Sequence, residues 1–169
     1  MTRSLHSPRR LFSLAALLGT IWCTSLPAAA DVAADQTAVR AVLMQTWDQP
    51  QARLRADPVV VRGNHAIADW MQGERGGRAL LARTANGQWI VTLCAGDGLK
   101  DPALLHDAGI PSADVHALLQ ALAAAEKPLS QAELAQLASF EGLVRMDAQG
   151  NHPPAHHTGH HDTHGQHAH

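Results

Sequence analysis

The dipeptide Asn86-Gly87 is the tightest constraint on what this chain can become. It sits between Arg78-Ala79-Leu80-Leu81-Ala82-Arg83 and Gln88-Trp89-Ile90-Val91-Thr92-Leu93. Asn-Gly accepts the positive φ angles of a tight hairpin turn whose twist matches the flanking strands, so the two apolar runs are expected to pair antiparallel. A second unit of the same kind precedes it. Pro58-Val59-Val60-Val61 and Ala66-Ile67-Ala68-Asp69-Trp70 flank Arg62-Gly63-Asn64-His65, again a β-rich run, a Gly-Asn turn and a second run. About four antiparallel strands follow from these two hairpins.

On either side the apolar period changes to that of a helix. Val39, Val42, Leu43, Thr46 and Trp47 recur at i, i+3, i+4, i+7 and i+8, predicting a helix from about Asp35, its cap, to Asp48, with Pro50 stopping it. Asp101-Pro102 reads as an N-cap followed by proline at the first helical position, opening a short helix to about Ala108 that Gly109 ends. Ser112 is expected to cap a helix to about Glu126 with Val115, Leu118, Leu119 and Leu122 on one face. Ser130 and Glu133 form a capping box for a third, with Leu134, Leu137 and Ala138 inward. The expected fold is α+β: an N-terminal helix on a roughly four-stranded antiparallel sheet, in the manner of a cystatin-like or NTF2-like half-shell, with a small C-terminal helical cap.

The ends of the chain do not belong to that core. Arg3, Arg9 and Arg10 precede the apolar stretch Leu11–Leu26, and Ala28-Ala29-Ala30 supplies the small residues that signal peptidase needs, with cleavage before Asp31. Residues 1–30 therefore read as a cleavable signal peptide and 31–147 as a single domain. The apolar stretch is short for a bilayer span, so no membrane insertion is expected after cleavage. Pro8-Arg9-Arg10-Leu11-Phe12 loosely resembles a twin-arginine signal, but paired arginines are ordinary in the basic region of general secretory signals, and the latter route is preferred. Either route leads to the periplasm. Cys23 leaves with the signal, because Trp22 stands where a lipobox wants a small residue. Cys94 is then the one remaining thiol, so no internal disulfide can staple the domain. The formal charge is −2, from 13 Lys/Arg against 15 Asp/Glu. Losing three arginines with the signal takes it to about −5, which argues against nucleic acid and anionic membranes as partners.

Residues 148–169 form a disordered, metal-binding tail in this reading. His152, His156, His157, His160, His161, His164, His167 and His169 are interspersed with Gly, Thr, Asp, Gln, Ala and Pro, a composition that cannot bury enough area to fold. Imidazole titrates near neutrality, so much of the tail offers free nitrogen lone pairs. Among divalent ions such ligands favour Cu²⁺, with zinc and nickel as competitors. The irregular spacing argues against an appended purification tag.

Inside the domain the candidate ligands are His65, Met71 and Cys94, together with His106, Met44 and Met146. Thiolate and thioether donors suit Cu⁺, and imidazole suits both copper states. His65 and Met71 flank one expected strand and Cys94 ends another, so a Cys/His/Met site is conceivable there. The bland alternative makes Cys94 a small buried residue and Met44 a core residue, with His106 and His116 at the surface. Gly73-Glu74-Arg75-Gly76-Gly77-Arg78 lacks the Gly-Lys-Ser/Thr ending of a phosphate loop and reads as a connection between strands. There is no Gly-x-Ser-x-Gly elbow. Asp69 and Glu74 have no spacing that demands acid–base work, and no catalytic signature emerges.

Several segments together resemble a known family. They are Val59-Val60-Val61, Ala66-Ile67-Ala68-Asp69-Trp70-Met71-Gln72-Gly73, Gly76-Gly77-Arg78-Ala79-Leu80-Leu81, Leu93-Cys94-Ala95-Gly96-Asp97, Ala138-Ser139-Phe140-Glu141-Gly142 and Val144-Arg145-Met146. They are similar to the small periplasmic proteins of proteobacteria described as copper uptake system-associated proteins, over about residues 38–146. The resemblance implies a role in periplasmic copper handling beside copper import proteins. With no catalytic signature, the expected protein is non-enzymatic, serves copper homeostasis, and has a copper import membrane protein or a copper chaperone as partner. It carries over no ligand residues. The rival readings are a zinc or nickel scavenger with the same tail, a small-ligand-binding or enzymatic domain with an incidental tail, and a pure interaction domain.

Overall fold

Strands whose residues are apolar on both faces need cover on both sides, and the central runs of this chain are of that kind. Ala66–Asp69 and Gly76–Leu81 are buried without interruption. A computed structural model describes residues 29–146, and it supplies that cover with helices on each face of the sheet. The elements are α1 (Ala29–Trp47), β1 (Leu54–Arg62), β2 (His65–Gln72), β3 (Arg75–Arg83), β4 (Trp89–Ala95), a 3₁₀ turn (Asp97–Lys100), α2 (Pro102–Asp107), α3 (Ser112–Glu126), α4 (Gln131–Ala138) and β5 (Leu143–Arg145). Residues 1–28, within the 1–30 segment read as a signal peptide, and residues 147–169, which hold the eight histidines of the expected tail, lie outside the described residues. No helix among the described residues is long and apolar enough to cross a membrane.

The fold is α+β, and the sheet is an antiparallel meander in the order β1-β2-β3-β4-β5. Its fifth strand is new relative to the sequence reading. Three residues are too few to show an alternating pattern, and β5 is fixed by pairing with the end of β4. The glycine-rich connection is also shorter than expected. Only Gly73-Glu74 turn, with Gly73 at φ +60°, and Arg75-Gly76-Gly77 are already strand. Both expected hairpins are present, with positive φ at Gly63 and Gly87.

The first face carries α1, whose Val39 and Leu43 pack on Leu54, Ala66, Ala68 and Leu81. The helix begins before Asp35, so Asp35 is not its cap. Its carboxylate pairs instead with Arg83, which stacks on Trp89 at 4.4 Å from the ring centre. The second face carries α3 and α2, with Leu105, Val115, Leu118 and Leu122 on Val60, Ile67, Leu80 and Leu93. The C-terminal helices α2 and α3 thus pack on the second face of the sheet, and α4 lies over the β2–β3 end, where Gln136 meets Gly76.

Local chemistry explains most helix ends. Asp101 Oδ1 accepts from Ala103 N at 2.9 Å, with Pro102 at the first helical position. Ser130 and Glu133 make the reciprocal capping box, and its backbone hydrogen bond, then the Arg55 guanidinium, draw the Glu133 carboxyl down to about 2. Ser112 differs from expectation. Pro111 occupies the cap position, and the Ser112 hydroxyl lies 2.8 Å from His106 Nε2. On α4, Leu137 is buried and Leu134 half-buried, but Ala138 is exposed, because the chain turns away there toward β5.

Two bulges set which face each side chain takes. Asp57-Pro58 on β1 stand opposite Asp69 alone, so Leu54, Ala56 and Val59 all reach the α1 face. Thr92 is the extra residue on β4: Leu80 pairs with Leu93 and Leu81 with Val91. It therefore reverses the alternation, sending Leu93 to the α3 face and Cys94 to the α1 face. The Thr92 hydroxyl donates to Leu80 O at 3.1 Å, and Thr92 O accepts from Met146 N at 2.9 Å.

Candidate functional site

Because Cys94 is turned to the α1 face, it lies in a row that crosses all five strands: Val59, Ala68, Ala79, Cys94 and Val144. The three central side chains are small. Large ones surround them, and the space between is a pocket of about 330 Å³. Leu43 and Trp47 of α1 form one wall, Trp70 and Phe140 another, and Val144 and Met146 close the β5 side. Cys94 is on its floor, 7% exposed. Gln72 and Arg75, opposite one another on β2 and β3, supply its polar part.

The wall formed by Phe140 depends on glycine. A Cβ on Gly77 would stand 2.9 Å from Trp70 Cζ2 and 3.0 Å from Phe140 Cβ. On Gly96 it would stand 2.7 Å from Ala138 O and 2.8 Å from Phe140 O. With no Cβ at either place, the segment after α4 lies directly on the sheet, and Phe140 meets Trp70 edge-on, 5.8 Å between ring centres at 83°. The glycine cluster thus serves close packing, consistent with its exclusion as a phosphate loop.

The polar groups differ in how far they are committed. The Gln72 side-chain amide donates to Trp47 O at 2.7 Å and Ala52 O at 2.8 Å, tying the end of α1 and the following turn to the sheet. The Arg75 side chain makes no hydrogen bond or ion pair among the described residues, and no carboxylate lines the pocket. Burial pushes the Cys94 thiol up to about 12, so the floor is uncharged at any physiological pH.

The structure does not bring Cys94, His65 and Met71 together. His65 and Met71 alternate with Ala66, Ala68 and Trp70, so they share the α3 face, whereas Cys94 opens on the other. They also stand six residues apart on one strand, roughly 20 Å at the usual rise. His65 is half-buried at the start of β2. Burial holds its imidazole below the usual range against the opposing pull of Asp114, and Nδ1 has no partner among the described residues. Met71 is buried, with its sulfur 3.4 Å from Arg55 Nη2. Of the other candidates, Met146 joins Cys94 in the pocket, Met44 packs against the α1-side core, and His106 and His116 are exposed. No group of three or more His, Cys, Asp or Glu side chains suited to a metal ion occurs among the described residues.

A second constellation lies on the opposite face, and sequence reasoning missed it. Arg78 of β3 is fully buried, and its Nε and Nη2 lie 2.8 and 2.7 Å from Glu126 Oε1 of α3. Nη1 reaches Asp97 Oδ1 at 2.9 Å. Lys100 Nζ meets Glu126 Oε2 at 2.8 Å. Asp69, directly across the strand pair from Arg78, has its Oδ1 3.5 Å from Arg78 Nε, and neither of its oxygens has a hydrogen-bond partner among the described residues. Asp69 has no exposed surface. Burial raises its carboxyl to about 7 against the pull of Arg78, helped by the charge of Glu126. With Asp69 protonated, two cations balance two carboxylates. The cluster joins α3 to the sheet. Arg78 and Glu126 are 48 residues apart, so no local spacing could signal it.

No family model, curated protein or solved structure matches the chain.

Proposed function

We propose that this is a non-enzymatic periplasmic accessory protein that binds copper and buffers it or delivers it to an uptake system. The observation that carries the reading is the set of eight histidines within residues 152–169, on spacers that cannot fold. Two to four imidazoles from such a segment can gather round one ion, and ordering the chain to do so lowers the affinity of each site, as suits capture and release. The resemblance to copper uptake system-associated proteins supports the same metal. The export signal read at residues 1–30 supports the compartment, where a copper importer or copper chaperone is the natural partner.

The folded domain is the adaptor in this proposal, and its last described residue, Met146, lines the pocket on the Cys94 side of the sheet. The test is competitive titration against chelators for Cu²⁺, Zn²⁺, Ni²⁺ and, anaerobically, Cu⁺. It is run on the mature protein, on a 31–147 truncation and on Cys94→Ala. Copper binding in preference to zinc that disappears with the tail supports the reading. Zinc or nickel held more tightly than copper overturns it in favour of a scavenger of those ions. Tight Cu⁺ binding that survives truncation and needs Cys94 moves the site into the domain.

A further inference from the structure

The pocket over Cys94 has a construction that copper buffering by the tail does not use. We propose that it is a binding site for a small amphipathic anion, a medium-chain or aryl monocarboxylate, whose apolar body lies between Trp47, Trp70 and Phe140 and whose carboxylate meets Arg75.

Three features support this occupant. The first is size: at the packing density of protein interiors, about 330 Å³ accommodates ~12–15 non-hydrogen atoms. The second is the lining. The wall and floor residues are apolar or uncharged, with two tryptophans and a phenylalanine for a flat or flexible hydrocarbon. A free metal ion or a polar metabolite would lose its hydration there without compensation. The third is charge. Arg75 is the one charged residue lining the pocket and has no carboxylate partner among the described residues. Four other arginines of the sheet are paired, Arg55 with Glu133, Arg62 with Asp114, Arg78 with Glu126 and Arg83 with Asp35. Arg145 on β5 has no ion pair among the described residues either, but it does not line the pocket. Opposite Arg75, the Gln72 amide is held by two backbone carbonyls and fixes the strand end that carries the pair. A guanidinium left free beside an apolar pocket is complementary to a ligand with one anionic end.

The experiment is a titration of the mature protein with decanoate in the presence of a chelator that keeps the histidine tail metal-free. Tryptophan fluorescence is the readout, since Trp47 and Trp70 line the pocket and Trp89 does not. Decan-1-ol and decylammonium are the comparison probes. Saturable binding of decanoate is expected, and Arg75→Glu weakens it by roughly tenfold while leaving decan-1-ol unchanged. Val144→Phe, on the edge strand, narrows the pocket and weakens decanoate and decan-1-ol alike. Absence of saturable binding overturns the proposal, as does decylammonium binding as tightly as decanoate, or Arg75→Glu without effect. Arg75 is exposed, so its variant tests the site even if the Val144 variant fails to fold. The proposal does not depend on copper: metal titration of the tail and fatty-acid titration of the pocket can fail separately.

Discussion

Replacing Asp69 by asparagine is expected to remove a pH dependence of stability that runs against the one a buried Asp–Arg pair would ordinarily give. Asp69 has two opposed influences on it. Complete burial and the neighbouring Glu126 carboxylate favour its neutral acid, while Arg78 across the strand favours its anion. Burial prevails, and the carboxyl loses its proton at about 7 in the folded protein against 3.8 ordinarily. Between those values the folded state holds a proton that the unfolded state has released, so stability falls as pH rises through the window. At about 1.4 kcal/mol for each pH unit, the whole passage costs roughly 4 kcal/mol, a large part of what a domain of this size has. The fall is complete once the pH is above both values, and absent below both.

An asparagine side chain in this place would copy the protonated acid: its amide can donate to Glu126 and its carbonyl can accept from Arg78. The assay is urea denaturation of wild type and Asp69→Asn across pH 4.5 to 8, taking the difference between the two proteins at each pH. That difference cancels groups common to both. Among them is His65, whose depressed imidazole makes stability rise with pH through its own range. The expected result is that wild type loses about 3 kcal/mol relative to the variant over this interval, so that the variant is the more stable protein at pH 8. A difference that is flat refutes the reasoning. So does one in which wild type gains as pH rises, because Asp69 would then be an anion held by Arg78 throughout. Arg78, Glu126, Asp97 and Lys100 are the charged groups around Asp69, and none is altered by the substitution.

Three further outcomes are expected. Deleting residues 148–169 lowers copper stoichiometry in a dialysis measurement and leaves the melting temperature of the metal-free protein unchanged; a marked drop in that temperature would mean that the tail contributes to the core. Gly96→Ala destabilises by about 1–3 kcal/mol in chemical denaturation, since its new Cβ meets two backbone oxygens rather than a side chain that can move; a neutral effect would show that the Phe140 segment is not held against the sheet. Cys94 reacts with an aromatic disulfide reagent at pH 8 about a thousandfold more slowly in the native protein than in urea, from its scarce thiolate alone; equal rates would place the thiol at the surface.

The parts of the fold legible in the sequence are those whose cause is local. A turn that needs positive φ shows as Asn86-Gly87 or Gly63-Asn64, a cap as Asp101-Pro102 or Ser130-x-x-Glu133, and a helix face as Val115, Leu118 and Leu122. What escapes depends on partners far along the chain. Ser112 looks like a cap until its hydroxyl is found beside His106. Arg75-Gly76-Gly77 looks like a loop because glycine lowers strand propensity, and becomes strand because α4 and Phe140 need the room that a Cβ would fill. The uninterrupted burial of β2 and β3 shows as apolar runs, but a short apolar run does not by itself say that helices cover both faces of the sheet.

The candidate site is hidden for a sharper reason. Grouping Cys94 with His65 and Met71 assumes that facing follows from counting along strands, and the β4 bulge breaks the count. From Trp89 and Val91, both on the α1 side, unbroken alternation would put Leu93 there and Cys94 with the α3 helix. Thr92 absorbs one residue, and its hydroxyl is bonded to Leu80 O while its carbonyl receives the N–H of Met146. The same residue therefore turns the cysteine into the pocket and anchors the chain just after β5, so that Val144 and Met146 close the pocket's far side. Nothing in Val91-Thr92-Leu93 marks a bulge, since threonine is as good a strand residue as its neighbours. The bulge arises from register against β3 and from the demand of two opposed cores for Leu93 on one side and Cys94 on the other. A site made in this way can be found only after the second face of the sheet is known to be covered.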